Sequence, residues 1–300
     1  MSKLKVFTKA LLPIGIGSYI LYQYAWPDLK ANIEYKNLND QYVTEANIDE
    51  NIETEEMETI EETTETKVET ETVEVEVISP EEQDTYLLDN GYDFKNIDFD
   101  SLNEINEDTV GYIELPGTNI EYPVVQGDDN EYYLHHSIEK EDSTSGTIFV
   151  DNRVDLSLGD DSSTTQTSTI SFFGHHMKNK SMFHDLMSYK EQSFVDENPY
   201  GVYYSEDGSI YALEVVACYL TSGDTDENIY IKNIDDEETL NDYMNYVSEN
   251  ALTKTDVEVK AGDKLVTLVT CSYEHDNYRC VVLCKAVKQY ENENEVTLMR

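Results

Sequence analysis

From residue 110 onward the chain repeats one pattern: short apolar runs rich in Val, Ile, Tyr and Phe, each cut off by Gly, Asp or Asn. A strand over 110–115 ends at Pro116-Gly117, and the runs "IEYPVVQG", "GTIFVDN", "STISFFG", "GVYYSE", "SIYALEVVACYLT", "KLVTLVTCSY" and "YRCVVLCKAVKQY" follow. Many short β-branched and aromatic segments of this kind predict an antiparallel sandwich or a closed barrel. Helical spacing breaks the pattern in three places. Residues 99–106 are expected to form a short amphipathic helix before the first strand. "SMFHDLMSYK" sets Met182, Phe183, Leu186, Met187 and Tyr189 near helical spacing. Residues 236–252 open with acids suited to a helix N-terminus and space Leu240, Tyr243, Met244 and Val247 by three or four. This last helix falls between two strands, so it is expected to pack as an insertion on a β-rich body.

The N-terminal pattern is different. Lys3, Lys5 and Lys9 precede an almost uncharged run from Ala10 to Trp26 that ends in Tyr22, Tyr24 and Trp26. Basic residues on one side and an aromatic collar on the other are the layout of a positive-inside membrane segment. The run is near the lower end of the roughly 17 to 25 residues that span hydrocarbon, and Pro13, Gly15 and Gly17 are tolerated in lipid. No small-residue cleavage site follows. Residues 1–27 are therefore expected to be a retained signal-anchor, with the bulk of the chain outside the cell.

Charge narrows the function classes. With 63 acidic and 20 basic residues the formal net charge is −43, which excludes a nucleic-acid binder that relies on phosphate neutralisation and excludes attraction to an anionic membrane surface. Much of the excess lies in residues 53–77, where Glu alternates with Thr and Val and Lys67 is the only base. Such a segment repels itself and stays solvated. Residues 28–84 are expected to be a disordered acidic stalk; its 53–77 core, at about 3.3 Å per residue, reaches on the order of 80 Å when fully extended. Residues 85–300 have the size of one domain.

The chemistry is carried by few side chains. Of the four cysteines, Cys218, Cys280 and Cys284 lie within apolar runs. Cys280 and Cys284, about 13 Å apart along one strand, are too distant to bridge; Cys218 has the option of pairing with one of them, and three buried thiols are the favoured expectation. Cys271 stands apart, at the end of a strand. A cysteine nucleophile needs its thiolate, scarce at neutral pH for a free thiol of pKa about 8.5, so a neighbouring base or cation is required. Six histidines are available. His275 reads as an exposed turn residue, His135 and His136 as surface or partly packed, and His184 as a helix-surface residue. In "TISFFGHHM" an apolar strand runs directly into Gly174, His175 and His176, and glycine at a strand end permits close backbone approach. Arg279 follows the turn after Cys271, so a hairpin returns it to the cysteine. There a guanidinium either stabilises a thiolate or oxyanion or serves as a plain surface arginine. No Cys-x-x-Cys or His-x-x-x-His spacing occurs, and no metal or other cofactor is expected.

"TLVTC" at 267–271, the arginine eight positions later, "FFGHHM" upstream and the leading "VGYIELPGTNIEYPVVQG" together resemble a sortase over roughly residues 97–290. The helix between the strands before Cys271, and "TCSYE" itself, are similar to class B. The resemblance implies an eight-stranded β-barrel-like fold with short helices, anchored in the membrane. It also implies transpeptidation of cell-wall sorting signals at a Gram-positive surface. It assigns the nucleophile to Cys271, the catalytic histidine to His175 and the arginine to Arg279; His176 stands where relatives often carry Asn, which leaves the choice between the two histidines open. The implied partners are surface proteins with LPxTG- or NPxTN-like motifs and an amine from a peptidoglycan precursor or a pilin. Two rivals remain: a cysteine peptidase using water as acceptor, and a stalked binding module in which Cys271 is structural.

Overall fold

The computed structural model describes residues 26–45, 87, 92–154, 156, 169–224, 234, 236–274 and 276–290. Eight strands close into a ring: β3 (Thr109–Leu115), β4 (Ile120–Val125), β5 (Ile148–Val150), β6 (Thr169–Phe173), β7 (Tyr200–Ser205), β8 (Ile210–Ser222), β10 (Leu265–Ser272) and β11 (Tyr278–Tyr290). The order is β11-β10-β6-β5-β4-β3-β7-β8, and β8 pairs back to β11 to shut the barrel. A ninth strand, β9 (Ala251–Lys254), pairs with β8 beside β7 and stands outside the ring. These eight are the strands expected from the sequence. Of the two expected arrangements the closed barrel is the one formed; the antiparallel sandwich is not, and two of the ring's pairings, β4 with β5 and β6 with β10, are parallel.

The near-continuous apolar runs have a cause in this geometry. In a strand alternate side chains face opposite sides, and on β8, β10 and β11 both sides are covered. Val266, Leu268, Cys280 and Val282 point into the barrel interior. Leu265, Val269, Val281 and Leu283 point outward into a second cluster with Leu240, Tyr243 and Val247. Those three residues come from the helix Glu237–Asn250, whose N-cap Asp236 accepts from the backbone N–H of Thr239 at 2.8 Å. Each buried side chain of this size contributes roughly 1.5–3 kcal/mol before entropy is counted. The segment 183–190 is a 3-10 helix (Phe183–Lys190) that packs Phe183, Leu186 and Tyr189 on the interior.

The N-terminal part of the expected stalk is corrected. Residues 28–45 are not solvated chain: helix α1 (Trp26–Tyr42) and strand β1 (Val43–Glu45) dock on the body, β1 pairing with β2 (Lys95–Ile97) just before helix α2 (Phe99–Ile105). Ala31, Tyr35 and Leu38 are buried at helical spacing. Tyr35 Oη donates to the Gly146 carbonyl at 2.9 Å, and Asn39 Nδ2 to the Glu121 carbonyl at 2.9 Å. An apolar stripe and these two bonds dock a helix whose own charge is nearly balanced, three acids against two lysines. Residues 46–86 and the apolar run that precedes Trp26 lie outside the described residues; among the described residues no helix is long and apolar enough to cross a membrane.

Helices α3 (Gln192–Glu197) and α4 (Glu237–Asn250) complete the body, α3 lying between the 3-10 segment and β7.

Candidate active site

The parallel pair β6–β10 ends at one rim of the barrel. The last register partners are Phe173 and Val269. One further backbone bond follows, from the Gly174 N–H to the Val269 carbonyl at 3.2 Å, and Thr270 Oγ1 then donates to the Gly174 carbonyl at 2.8 Å. Gly174 is glycine for a steric reason: a Cβ there would lie 2.4 Å from Ile148 Cδ1 and 2.9 Å from the Phe183 ring.

Period-two alternation sets Phe173, Val269 and Cys271 on one outward face, with Phe149 opposite Phe173. The Phe149 and Phe173 rings, 5.4 Å apart, floor a cleft of about 220 Å³. Around its rim stand His175, Cys271, Arg279 and Asn130. Cys271 is the one position of β10 that is not buried. Arg279 is its direct register partner on β11. The guanidinium bonds the Tyr278 carbonyl at 3.3 Å and occupies space that a Cβ on residue 223 would take, 2.9 Å from its Cζ; Gly223 makes room for it. Among the described residues Arg279 has no carboxylate partner, which leaves a cation facing the cleft in a strongly acidic chain.

His175 donates from Nε2–H to the Leu134 carbonyl at 2.8 Å, so that tautomer and ring plane are set from the loop after β4. His176 turns away from the cleft. Its Nδ1–H donates to the Cys271 carbonyl at 3.0 Å, and its ring lies against Tyr273 and His184. Burial lowers the pKa of His176, with His184 and Lys190 adding to the effect and the Cys271 carbonyl and Asp185 opposing it. His135 is exposed and His136 half-buried, stacked on Tyr132 at 3.9 Å; His184 is half-buried on the 3-10 segment; His275 lies outside the described residues. Cys218, Cys280 and Cys284 are buried free thiols. No group of three or more His, Cys, Asp or Glu side chains among the described residues is arranged to hold a metal ion. A larger groove of about 560 Å³, between α1 and residues 179–181, contains none of the candidate residues.

The structure thus brings His175, Cys271 and Arg279 to one cleft and leaves the His176 ring outside it, on the Cys271 carbonyl. Two contributors were not anticipated. The Leu134 carbonyl carries no side-chain signal, and Asn130 sits in a polar turn with no motif around it.

The Sortase domain family model matches residues 113–287, more than half the chain. The chain belongs to the sortase family. Sortase B of Listeria monocytogenes is 36% identical over 177 residues, covering 58% of this chain and 67% of that protein. Sortase B of Staphylococcus aureus is 32% identical over 192 residues, covering 63% and 75%. The crystal structure of Clostridium perfringens sortase B superposes with a TM-score of 0.56 at 35% identity, over 63% of this chain and 98% of that one. These likenesses make it a class B sortase, and sortases are cysteine transpeptidases that act on surface proteins.

Proposed function

We propose that this sortase is a membrane-anchored enzyme that cleaves an LPxTG- or NPxTN-like sorting motif of surface proteins and joins the new carboxyl end to an amine of a peptidoglycan precursor. The observation that carries the reading is the convergence of Cys271, His175 and Arg279 on one cleft with an apolar floor. Residues 1–27 would hold the enzyme in the membrane with its catalytic domain outside, in keeping with the basic start and aromatic collar of that segment.

In this mechanism the Cys271 thiolate attacks the Thr carbonyl carbon of the motif. The C–S bond forms, the oxygen takes the negative charge, and Arg279 with backbone N–H groups stabilises it. Collapse breaks the C–N bond, and the imidazolium of His175 gives its proton to the leaving amine. The acceptor amine then loses a proton to neutral His175 and attacks the thioester. A C–N bond forms, the C–S bond breaks, and the thiolate returns. The covalent intermediate divides one difficult exchange into two easier ones.

The test uses the full chain in detergent, because a fragment beginning at residue 85 would strip α1 from the body. Quenched fluorescent pentapeptides of both motif types are offered to the wild type and to Cys271→Ala, with and without a glycine or diaminopimelate peptide. Cleavage lost in the variant, together with a new amide in the presence of the amine, supports the transpeptidase. Cleavage unaffected by the amine supports a peptidase, and a pilin lysine peptide as preferred acceptor supports pilin assembly.

A further inference from the structure

Where the β6–β10 ladder stops, side chains continue it. Beyond Phe173 and Val269 the strand ends are joined by Thr270 Oγ1 to the Gly174 carbonyl at 2.8 Å, by His176 Nδ1–H to the Cys271 carbonyl at 3.0 Å, and by Tyr273 Oη to the His176 carbonyl at 3.2 Å. The last two are reciprocal: each side chain bonds the backbone of the segment that carries the other. Their rings lie 5.0 Å apart with planes 31° from parallel.

We propose that His176 and Tyr273 are a positioning clasp, which fixes the backbone of His175 against that of Cys271. The role of the clasp in turnover rests on the transpeptidase reading above. His175 lies between two residues, Gly174 and His176, that are both tied to the nucleophile strand. Its own ring has one bond to a described residue, Nε2–H to Leu134, so its place relative to Cys271 is set by how its backbone is held. The clasp asks for an N–H donor at residue 176 and not for an acid or a base. An asparagine amide supplies the same donor from a similar reach, whereas leucine fills the space and supplies none. Tyr273 contributes from the solvent side, being 70% exposed, so its hydroxyl has water as a competitor and its share is the smaller one.

The experiment compares full-length wild type, His176→Leu, His176→Asn and Tyr273→Phe by peptide kinetics and by the pH profile of iodoacetamide alkylation. Alkylation reads Cys271, since Cys218, Cys280 and Cys284 are fully buried. His176→Leu is expected to lower kcat roughly 10- to 100-fold at nearly constant KM and to move the alkylation profile; His176→Asn restores both to within about threefold, and Tyr273→Phe falls between. A His176→Leu enzyme with wild-type kcat and profile overturns the clasp, as does a His176→Asn enzyme as impaired as the leucine variant. Should the leucine variant fail to fold, an unaltered Tyr273→Phe enzyme overturns it as well. A wild type that turns over no peptide, while its alkylation profile still responds to His176→Leu, sinks the peptide-transfer reading and leaves the clasp standing.

Discussion

Cys271 and Arg279 face each other directly across the β10–β11 pair, the penultimate residue of one strand against the second residue of the next. Opposed residues in an antiparallel pair carry their side chains on one face with Cβ atoms about 4.5–5.5 Å apart. The cation is thereby held beside Cys271, the proposed nucleophile, by backbone pairing rather than by a flexible loop. Arg279→Ala is expected to lower kcat by about 10²–10³ with KM little changed, the loss typical of one oxyanion donor. Arg279→Lys should recover only part of it, because an ammonium lacks the planar fork. Steady-state kinetics on the two variants decide; a KM effect alone would reassign the guanidinium to substrate binding.

Gly174 separates the floor of the cleft from the candidate base. A methyl group there meets Ile148 Cδ1 at 2.4 Å and Phe183 at 2.9 Å, and both neighbours are fully buried, so neither has room to yield. Gly174→Ala should cost about 1–3 kcal/mol as overpacking. It should appear as a lower urea midpoint at unchanged slope. It should also reduce kcat, because the Gly174 carbonyl is the acceptor of Thr270.

Asp151, at the end of β5, gives a pH prediction. Burial works against its charge, but bonds from Arg153 Nε at 2.9 Å and Nη2 at 2.6 Å, from Asn130 Nδ2 at 3.0 Å and from the Arg153 N–H at 3.0 Å more than offset it, and its pKa is lowered. A carboxyl depressed in the folded state adds stability that is present above its unfolded pKa of about 3.9 and is lost as pH falls through the lower folded value. Asp151→Asn should therefore cost about 1–3 kcal/mol at pH 7 and flatten the acid limb of the stability curve. Denaturant midpoints of wild type and variant from neutral pH down to acid check this. Curves that stay parallel throughout would refute it. Asn130 lines the cleft, so the same variant is expected to disturb the site as well.

The docked α1 makes a separate demand. Tyr35 is buried with its hydroxyl shared between the Gly146 carbonyl and Thr147 Oγ1, and the Thr147 N–H returns to the Tyr133 carbonyl beside Leu134. Tyr35→Phe should cost about 1 kcal/mol and Tyr35→Ala about 3–5 kcal/mol. Amide exchange should quicken over 31–42 and 133–147 together. Exchange confined to the helix would mean that α1 and the loop holding His175 are not coupled.

The eight ring strands are legible because each is a short run of β-branched and aromatic residues closed by Gly, Asp or Asn; Cys271, His175 and Arg279 are proposed for the site because each lies at or just beyond a strand end. Strand direction was not legible: the parallel pairs depend on where intervening loops return the chain, which no local pattern encodes. β9 was absorbed into the helix it follows, since Ala251–Lys254 is short and carries no turn signal before it. α1 is nearly balanced in charge, and Ala31, Tyr35, Leu38 and Tyr42 recur at four, three and four, but it adjoins the acidic tract of residues 53–77 and its buried stripe is narrow. At the site, what the sequence left open between His175 and His176 is separated by geometry, consecutive residues past a strand end facing opposite ways.

The four cysteines divide sharply, and the division can be counted. Cys218 and Cys280 are buried on neighbouring strands with Sγ atoms 3.7 Å apart, too far for a bond of about 2.05 Å. The hydrogen bond to Cys280 and burial both raise the pKa of Cys218, and burial with the Glu214 carboxylate does the same for Cys284. Thiols enclosed in this way, Cys280 among them, are out of reach of added reagent. In the folded protein one thiol should titrate rapidly with a disulfide reagent, none in Cys271→Ala, and four in guanidinium. A denatured count of two would mean that Cys218 and Cys280 are joined in the native protein. A second fast thiol before unfolding would mean that the barrel wall opens near β8 and β11, and the buried set would no longer be a silent background for reading Cys271.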